Sequence, residues 1–556
     1  MASRISGDEM PVIEVDKKYL MGLCRIPEEE LKEVLTMIKA PIDEEQGDIW
    51  KLEITPDRPD LLSPEGVARA VKGFLGIESE IPQYAIVDTD IVVEVEKVEA
   101  RPYIACACVL GVKLNDYIIK SLMQLQEKLH ETLGRKRKKV AIGLHDLDKV
   151  TPPFRYIQAH PKEIIFVPLG KSEKMSLDEI LKFHEKGREY AYCLEGFEKY
   201  PVIIDKYGEV LSFPPIINGE LTKVTENTKN LFIDVTGTDK NTVEKVLNII
   251  VCSIAEIGGK IGKVKVGDKI YPDLTPESFE LKVENTDRLL GLGLKEHEIA
   301  EILKRMRYSV IELKGGIIKV LVPPYRIDIL HEVDLIEDVA IGYGINNISP
   351  IIPKLPTVGK KHEKEKISEK IREIMIGFGM QEIFSFILSN KEKQFSKMNI
   401  PEMQCVEIAN PVTEEYTICR TWLLPCLLEF LSENTHNKYP QKIFEIGDCV
   451  LLDENCEIGA REERKLACAI AYDKANLTEI KSIVEALAKE LNVSLVIKPY
   501  EHESFIPSRC GEIYINGKSV GIFGEIHPKV LENWKIEKPV IAFEINIEEL
   551  FSKKLK

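Results

Sequence analysis

Apolar and polar positions alternate along the chain in short blocks that predict strands and amphipathic helices in turn, with no single period running for long. Near the start, Val12–Val15 reads as a strand, Glu28–Lys39 as a helix, and a further strand ends in Lys51-Leu-Glu-Ile-Thr55. The next helix has every local signal in agreement. Ser63 is its N-cap, Pro64 its first helical residue, Val67, Val71, Phe74 and Leu75 its buried face, and Gly76 its stop. From about 90 to 265, strands alternate with helices. Asp205-Lys-Tyr-Gly208 is a turn within a hairpin spanning 200–218, which carries Ile203 and Ser212. Along the strand Asn230–Asp239, period two puts Phe232, Asp234 and Thr236 on one face. A strand interior disfavours Asp, so Asp234 is either a structural hydrogen-bond anchor or a contact to a ligand. Thr236-Gly-Thr238 ends that strand and Asp239 caps a helix buried through Val243, Val246, Leu247, Ile250, Ile254 and Ile257. Strand end, glycine turn and helix start together are a usual place for binding.

Beyond residue 271, two short helices, Asn285–Gly291 and Lys295–Arg307, suggest a helix-turn-helix, followed by a Lys314-Gly-Gly hairpin and an acidic helix. The charges from Lys282 to Arg307 balance, which argues against strong groove binding. After a proline-rich stretch, Ile367–Phe378 is amphipathic. Glu382–Leu388, Lys442–Leu452, Leu466–Ala471 and Val540–Ile545 read as strands, Leu477–Leu491 as a helix, and Gly511–Gly524 as an Asn-Gly hairpin. The pattern predicts an α+β multidomain chain: a leader over 1–9, a mixed N-terminal α/β domain over 10–85, an α/β domain over 90–268, a small helix-turn-helix-like domain over 271–348, a linker over 349–366, and an antiparallel α+β domain over 367–556.

Composition narrows the function classes. At 556 residues, three to five domains of about 150 residues each are expected. A formal net charge of −16 excludes an indiscriminate nucleic-acid binder, so any such contact must be local. The one dense basic run, Arg135–Lys139, is either a phosphate-contacting loop or a solvated surface. The 12 cysteines contain no CxxC pair, which points away from a zinc framework or disulfide scaffold and toward a reducing compartment. No secretory h-region and no run of about 18 apolar residues is present, so the expectation is a cytoplasmic protein without a membrane partner.

The acidic helix holds the densest candidate chemistry. In Pro324–Tyr343 (PYRIDILHEVDLIEDVAIGY), Val333, Ile336, Val339, Ala340 and Tyr343 mark a buried face from Glu332 onward. Asp334, Glu337 and Asp338 fall opposite, with Asp328 just upstream. Carboxylates about 5–6 Å apart on neighbouring helical turns repel. The spacing predicts convergence relieved by a hard cation such as Mg²⁺, by Arg326, or by solvent on an acidic first turn that complements the helix dipole.

Several motifs in order resemble one family along nearly the whole chain: TPDRPDLLS (55–63), AIGLHDLD (141–148), SFPPIIN (212–218), FIDVTGT (232–238), the acidic stretch, and FEIG (444–447). This pattern is similar to the phenylalanyl-tRNA synthetase β subunit of the archaeal and eukaryotic type. The resemblance implies an (αβ)₂ assembly with an α subunit that performs ATP-dependent aminoacylation of tRNA(Phe). It implies Mg²⁺ ligands at Asp328, Asp334, Glu337 and Asp338. It also implies an editing site that hydrolyses mischarged tyrosyl-tRNA(Phe), formed by Ile203, Ser212, Asp234 and Thr236. The final domain would be a degenerate class II synthetase-like fold, because Ala542–Leu550 offers acidic residues where active relatives place glycine and arginine. The alternatives are a free-standing aminoacyl-tRNA deacylase and a purely architectural subunit without editing.

Overall fold

The structure, a computed structural model, describes residues 10–550; the leader expected over 1–9 and residues 551–556 lie outside them. Two compact units make up the chain, divided between Ile352 and Pro353.

In the first unit, the strands Val12–Asp16, Ile49–Glu53 and Ile42–Gln46 form a three-stranded antiparallel sheet in that order. The helix Pro64–Phe74 starts as its sequence dictates, with Ser63 Oγ accepting from the Gly66 amide at 3.1 Å. Its burial exceeds the single face expected. Glu65, Gly66, Arg69 and Gly73 are also buried, and a Cβ on Gly66 or Gly73 would sit 1.9 Å from Asp60 O or 2.4 Å from Arg305 O. The glycines let backbone approach the helix from two sides.

A ten-stranded mixed sheet dominates this unit. Its order is Ile217–Asn218, Val210–Phe213, Tyr200–Ile204, Phe154–Ala159, Ile86–Val95, Lys260–Val266, Tyr103–Leu110, Asn230–Gly237 and Val140–Asp146, with Lys269–Tyr271 paired to Lys260–Val266. The two ends of this order come back together. Asn218 Nδ2 donates to Leu144 O at 3.3 Å and Thr222 Oγ1 meets His145 Nδ1 at 2.8 Å. Strand twist accumulated across so many strands makes such curling favourable. The helices Asp116–Glu131 and Lys240–Ala255 cover one side, the second capped by Asp239 through the Thr242 amide at 2.8 Å. Further on, Glu277–Lys282, Ile317–Val322 and Ser309–Lys314 form a small antiparallel sheet with the helices Val283–Leu290, Glu296–Arg305 and Glu332–Tyr343.

The second unit is built on a seven-stranded sheet ordered Gln381–Glu382, Gln441–Leu452, Ala460–Ala471, Val540–Asn546, Lys518–Ile526, Phe505–Ile515 and Leu495–Pro499. It is antiparallel except where Gln381–Glu382 joins. Period two divides its faces. Leu466, Cys468 and Ile470 pack with the helices Glu363–Gly377 and Leu477–Glu490, while Ala467, Ala469 and Ala471 lie under the helix Leu424–Glu433. The Asn516-Gly517 hairpin turn forms, with φ of 51° and 81°. One expected strand does not. Glu382–Leu388 pairs only at its ends, and Phe384 and Phe386 are 89% and 71% exposed, because no strand lies alongside to accept the middle of the run. Among the described residues no helix is long and apolar enough to cross a membrane.

Candidate functional site

A deep concave site lies where the big sheet curls. A cavity of about 600 Å³ is walled by Ile142, Leu144, Pro214, Pro215 and Ile216, with Ser212, Asp234 and Thr236 contributing polar atoms. A mostly apolar cavity with a few convergent polar groups has the form of a small-molecule or side-chain pocket. Three of the four residues expected here are therefore brought together. Ile203 is fully buried in the core, paired in register with Ser212, and supports the wall from behind.

Asp234 lies on a central strand between Tyr103–Leu110 and Val140–Asp146, directly opposite Gly143 on one side and Cys106 on the other. Its carboxylate is 2% exposed, and Oδ1 is held by His145 Nε2 at 2.7 Å. Gly143 is required for this contact. A Cβ there would sit 2.2 Å from Asp234 Oδ1 and 2.6 Å from His145 Nε2. His145 Nε2 donates to Asp234 and Nδ1 meets the Thr222 hydroxyl at 2.8 Å, which fixes the ring at both ends. Among the described residues Asp234 Oδ2 has no hydrogen-bond partner, and Asp234 lines the cavity. Ser212 Oγ is buried and has no hydrogen-bond partner among the described residues. Thr236 Oγ1 accepts from Arg101 Nε at 3.1 Å, so its own proton is free to be donated.

Arg101 also ties the strand to the basic run, donating through Nη2 to Thr236 O at 2.6 Å and through Nη1 to Arg137 O at 3.1 Å. Arg135, Lys136 and Arg137 all have φ between 48° and 65°, a conformation disfavoured for residues with a Cβ and sustained only by surrounding contacts. Arg137 turns inward to the cavity, pairing with Glu127 at 2.9 Å and stacking on Tyr190 at 4.2 Å, while Arg135, Lys136 and Lys138 stay exposed. The run is thus neither wholly solvated nor wholly a free phosphate loop.

His130 braces the same corner. Its Nε2 accepts from the Ile142 amide at 2.9 Å, and burial lowers its pKa to about 4. A histidine of folded pKa about 4 and unfolded pKa about 6.5 binds fewer protons folded than unfolded between those values, so stability is full above pH ~6.5 and falls toward pH ~4, by up to roughly 3 kcal/mol. Denaturant midpoints across that window should show the fall, and His130→Gln should flatten it.

Family models match three stretches: "B3/4 domain" over residues 116–249, "tRNA synthetase B5 domain" over 279–345, and "Phenylalanyl tRNA synthetase beta chain CLM domain" over 348–547. The "Phenylalanine--tRNA ligase beta subunit" of Pyrococcus abyssi is 48% identical over 98% of this chain and all of its own length. The chain belongs to the phenylalanine–tRNA ligase β-subunit family. The protein of the same name from Methanocaldococcus jannaschii is 46% identical, over 97% of this chain and 100% of that one. A crystal structure of an N-terminal fragment of the phenylalanyl-tRNA synthetase β subunit from Pyrococcus horikoshii is 43% identical, with a TM-score of 0.58, over 60% of this chain and 100% of the fragment.

The cavity residues of this family member fall in the B3/4 match and the acidic stretch in the B5 match. Each of the four carboxylates in that stretch has a partner within the protein. Among the described residues no group of three or more His, Cys, Asp or Glu side chains is placed to hold a metal ion. Asp338 turns inward, 3% exposed, to Tyr308 and to Arg326 at 2.7 Å; Asp328 takes the same guanidinium in two bonds of 2.8 and 2.7 Å. Asp334 caps the helix, accepting from the Leu330 and His331 amides at 2.8 Å, and Glu337 reaches Lys39 at 2.6 Å. Val333, expected inside, is 48% exposed. Arg326, a buried cation, holds Asp328 and Asp338 together beneath the helix. The four carboxylates thus have their partners in Arg326, Lys39 and the helix N-terminus. Asp334→Ala should cost about 0.5–2 kcal/mol by thermal unfolding, the usual worth of an N-terminal cap.

Family membership leaves His145, Gly143, Thr222 and Arg101 as residues that the pattern did not single out. His145 and Gly143 lie inside the AIGLHDLD motif, whose alternation puts them on the same face. That face was the available signal.

Proposed function

We propose that this chain acts as the β subunit of a phenylalanine–tRNA ligase, together with an α subunit that attaches phenylalanine to tRNA(Phe), and that its cavity hydrolyses tyrosine mischarged on that tRNA. The supporting observation is the pairing of an apolar cavity with one anchored carboxylate, Asp234, whose second oxygen has no partner among the described residues. A synthetic pocket shaped for phenylalanine rejects an added hydroxyl only by about 10²-fold, whereas a pocket that hydrogen-bonds the hydroxyl discriminates by about 10⁴–10⁵. Tyrosine's ring fits the apolar walls and its phenolic O–H donates to Asp234 Oδ2. A phenylalanyl ester in the same place leaves that carboxylate desolvated and unpaired.

Hydrolysis then needs a water on the ester carbonyl. Thr236, its oxygen occupied by Arg101, donates to the carbonyl oxygen as negative charge develops there. Ser212, lining the same cavity, positions the substrate. The water oxygen bonds to the carbonyl carbon, the bond to the ribose oxygen breaks, and the ribose hydroxyl leaves with a proton. Exposed Arg135, Lys136 and Lys138 offer local positive charge for the tRNA acceptor end on an otherwise acidic chain. Charging and deacylation assays on the purified αβ complex test this reading. Loss of tyrosyl-tRNA(Phe) deacylation in Ser212→Ala, with phenylalanine charging intact, is the expected result.

The second unit we read as a class II synthetase-like fold that has lost adenylation. Its sheet-face cavity of about 480 Å³ presents Glu463 and Glu544. Lys465 there is consumed by Glu544 at 3.2 Å and by Thr421 O at 3.0 Å. Arg420 is locked to Glu445 at 2.8 Å. Carboxylates facing a triphosphate repel it. The chain without its α partner should therefore form no phenylalanyl-adenylate in a pyrophosphate-exchange assay; exchange above background would contradict this reading.

A further inference from the structure

A second, much smaller cavity lies in the first unit between the helix Pro64–Phe74 and the segments around Arg307 and Arg326. Its volume is about 20 Å³, and its wall includes Arg58, Arg69, Arg307 and Arg326 with Asp60 and Tyr325. Each of those arginines is no more than 7% exposed. Four buried guanidiniums around one void is an expensive arrangement unless each is paired.

Two of the four are well paired. Arg58 donates to both oxygens of Asp60, at 2.8 and 2.9 Å, and Arg326 is shared between Asp328 and Asp338. The other two are not. Arg69 stacks on the Tyr325 ring at 3.6 Å, donates to the Tyr84 hydroxyl at 3.3 Å and has Glu256 only at 3.6 Å, while Arg307 reaches Glu78 only at 3.4 Å. Arg69 Nη2, Arg307 Nε, Arg307 Nη1 and the Tyr325 hydroxyl are buried and have no hydrogen-bond partner among the described residues. All four can donate, three cannot accept, and all belong to residues lining the same void.

The void exceeds the ~10–15 Å³ that a single water-sized occupant requires. A water would satisfy two of the donors but would need acceptors for its own two protons. An acceptor-only, negatively charged occupant satisfies several donors and offsets the two poorly paired cations at once. We propose that the cavity binds one monatomic anion of the chloride class, held by Arg69, Arg307 and Tyr325. The ion clamps Pro64–Phe74 to the segments carrying Arg307 and Tyr325, independently of the editing reading.

Bromide substitutes for chloride and scatters anomalously. Crystals of the full chain, in the complex in which it purifies, grown with bromide should show an anomalous peak within hydrogen-bonding distance of Arg69 and Arg307. The melting temperature at matched ionic strength should be higher by about 2 °C or more in bromide or chloride than in gluconate, which is too large to enter, since a ligand of the folded state stabilises it. Tyr325→Phe keeps the ring under Arg69 and removes one donor, so it should fold and lose at least half of the halide-dependent shift. The anomalous signal decides. Density at the site without a bromide peak, a buried water only, overturns the proposal, as does equal melting in halide and gluconate.

Discussion

Asp234→Ala should slow deacylation of tyrosyl-tRNA(Phe) by the αβ complex at least ~10²-fold while leaving phenylalanine charging unchanged, because the substitution removes the one buried acceptor for the phenol. The effect has a structural component that can be separated. His145 Nε2–H would lose its 2.7 Å partner, a buried unsatisfied donor that costs about 1–3 kcal/mol. Asp234→Asn isolates the chemistry. Its amide oxygen can still accept from His145, whereas its NH₂ would meet the phenol as a donor, so folding should persist and tyrosyl selectivity fall. An Asp234→Ala complex that deacylates at the parental rate would remove Asp234 from the site. Gly143→Ala should behave like Asp234→Ala, since the added methyl occupies the contact between Asp234 and His145.

The largest stability effect is expected in the second unit. Arg420 and Glu445 have side chains 1% and 0% exposed and meet at 2.8 Å. Ser385 Oγ donates to Glu445 Oε2 at 2.5 Å, and Arg420 Nε donates to Asp448 O at 2.9 Å. Gly447 makes the room, since a Cβ there would lie 2.2 Å from the guanidinium. Removing one partner of such a pair strands a buried charge, so Glu445→Ala should cost about 3–5 kcal/mol. With a urea slope of about 1–3 kcal/mol/M, the transition should move down by roughly 1–5 M. Fluorescence of Trp422 and Trp534 reports that transition, both residues lying in this unit. A parental midpoint would show that the pair is dispensable.

Local signals were legible wherever one residue governs one hydrogen bond or one turn. Ser63 and Asp239 cap their helices, Asn516-Gly517 turns its hairpin, and Asp234 and Thr236 share a face as period two requires. The site was legible only as far as the strand. That Ser212 faces the same cavity as Asp234 depends on the two ends of the sheet order meeting through Asn218 and Thr222, a closure that no single strand encodes. In the acidic helix the spacing says nothing of what lies beneath. Its i, i+3, i+4 pattern is a surface argument, and Arg326, brought in from upstream with Tyr308, drew Asp338 inside. Glu382–Leu388 has strand composition but no neighbour over its middle. Propensity describes what a segment fits, and pairing decides whether it forms.

The most direct test of the central claim is the ratio of deacylation rates for tyrosyl-tRNA(Phe) and phenylalanyl-tRNA(Phe) by the parental αβ complex under identical conditions. A cavity that recognises the phenol through Asp234 predicts tyrosyl ester cleavage at least ~10²-fold faster. Equal rates for the two esters, or no cleavage of either, would contradict it.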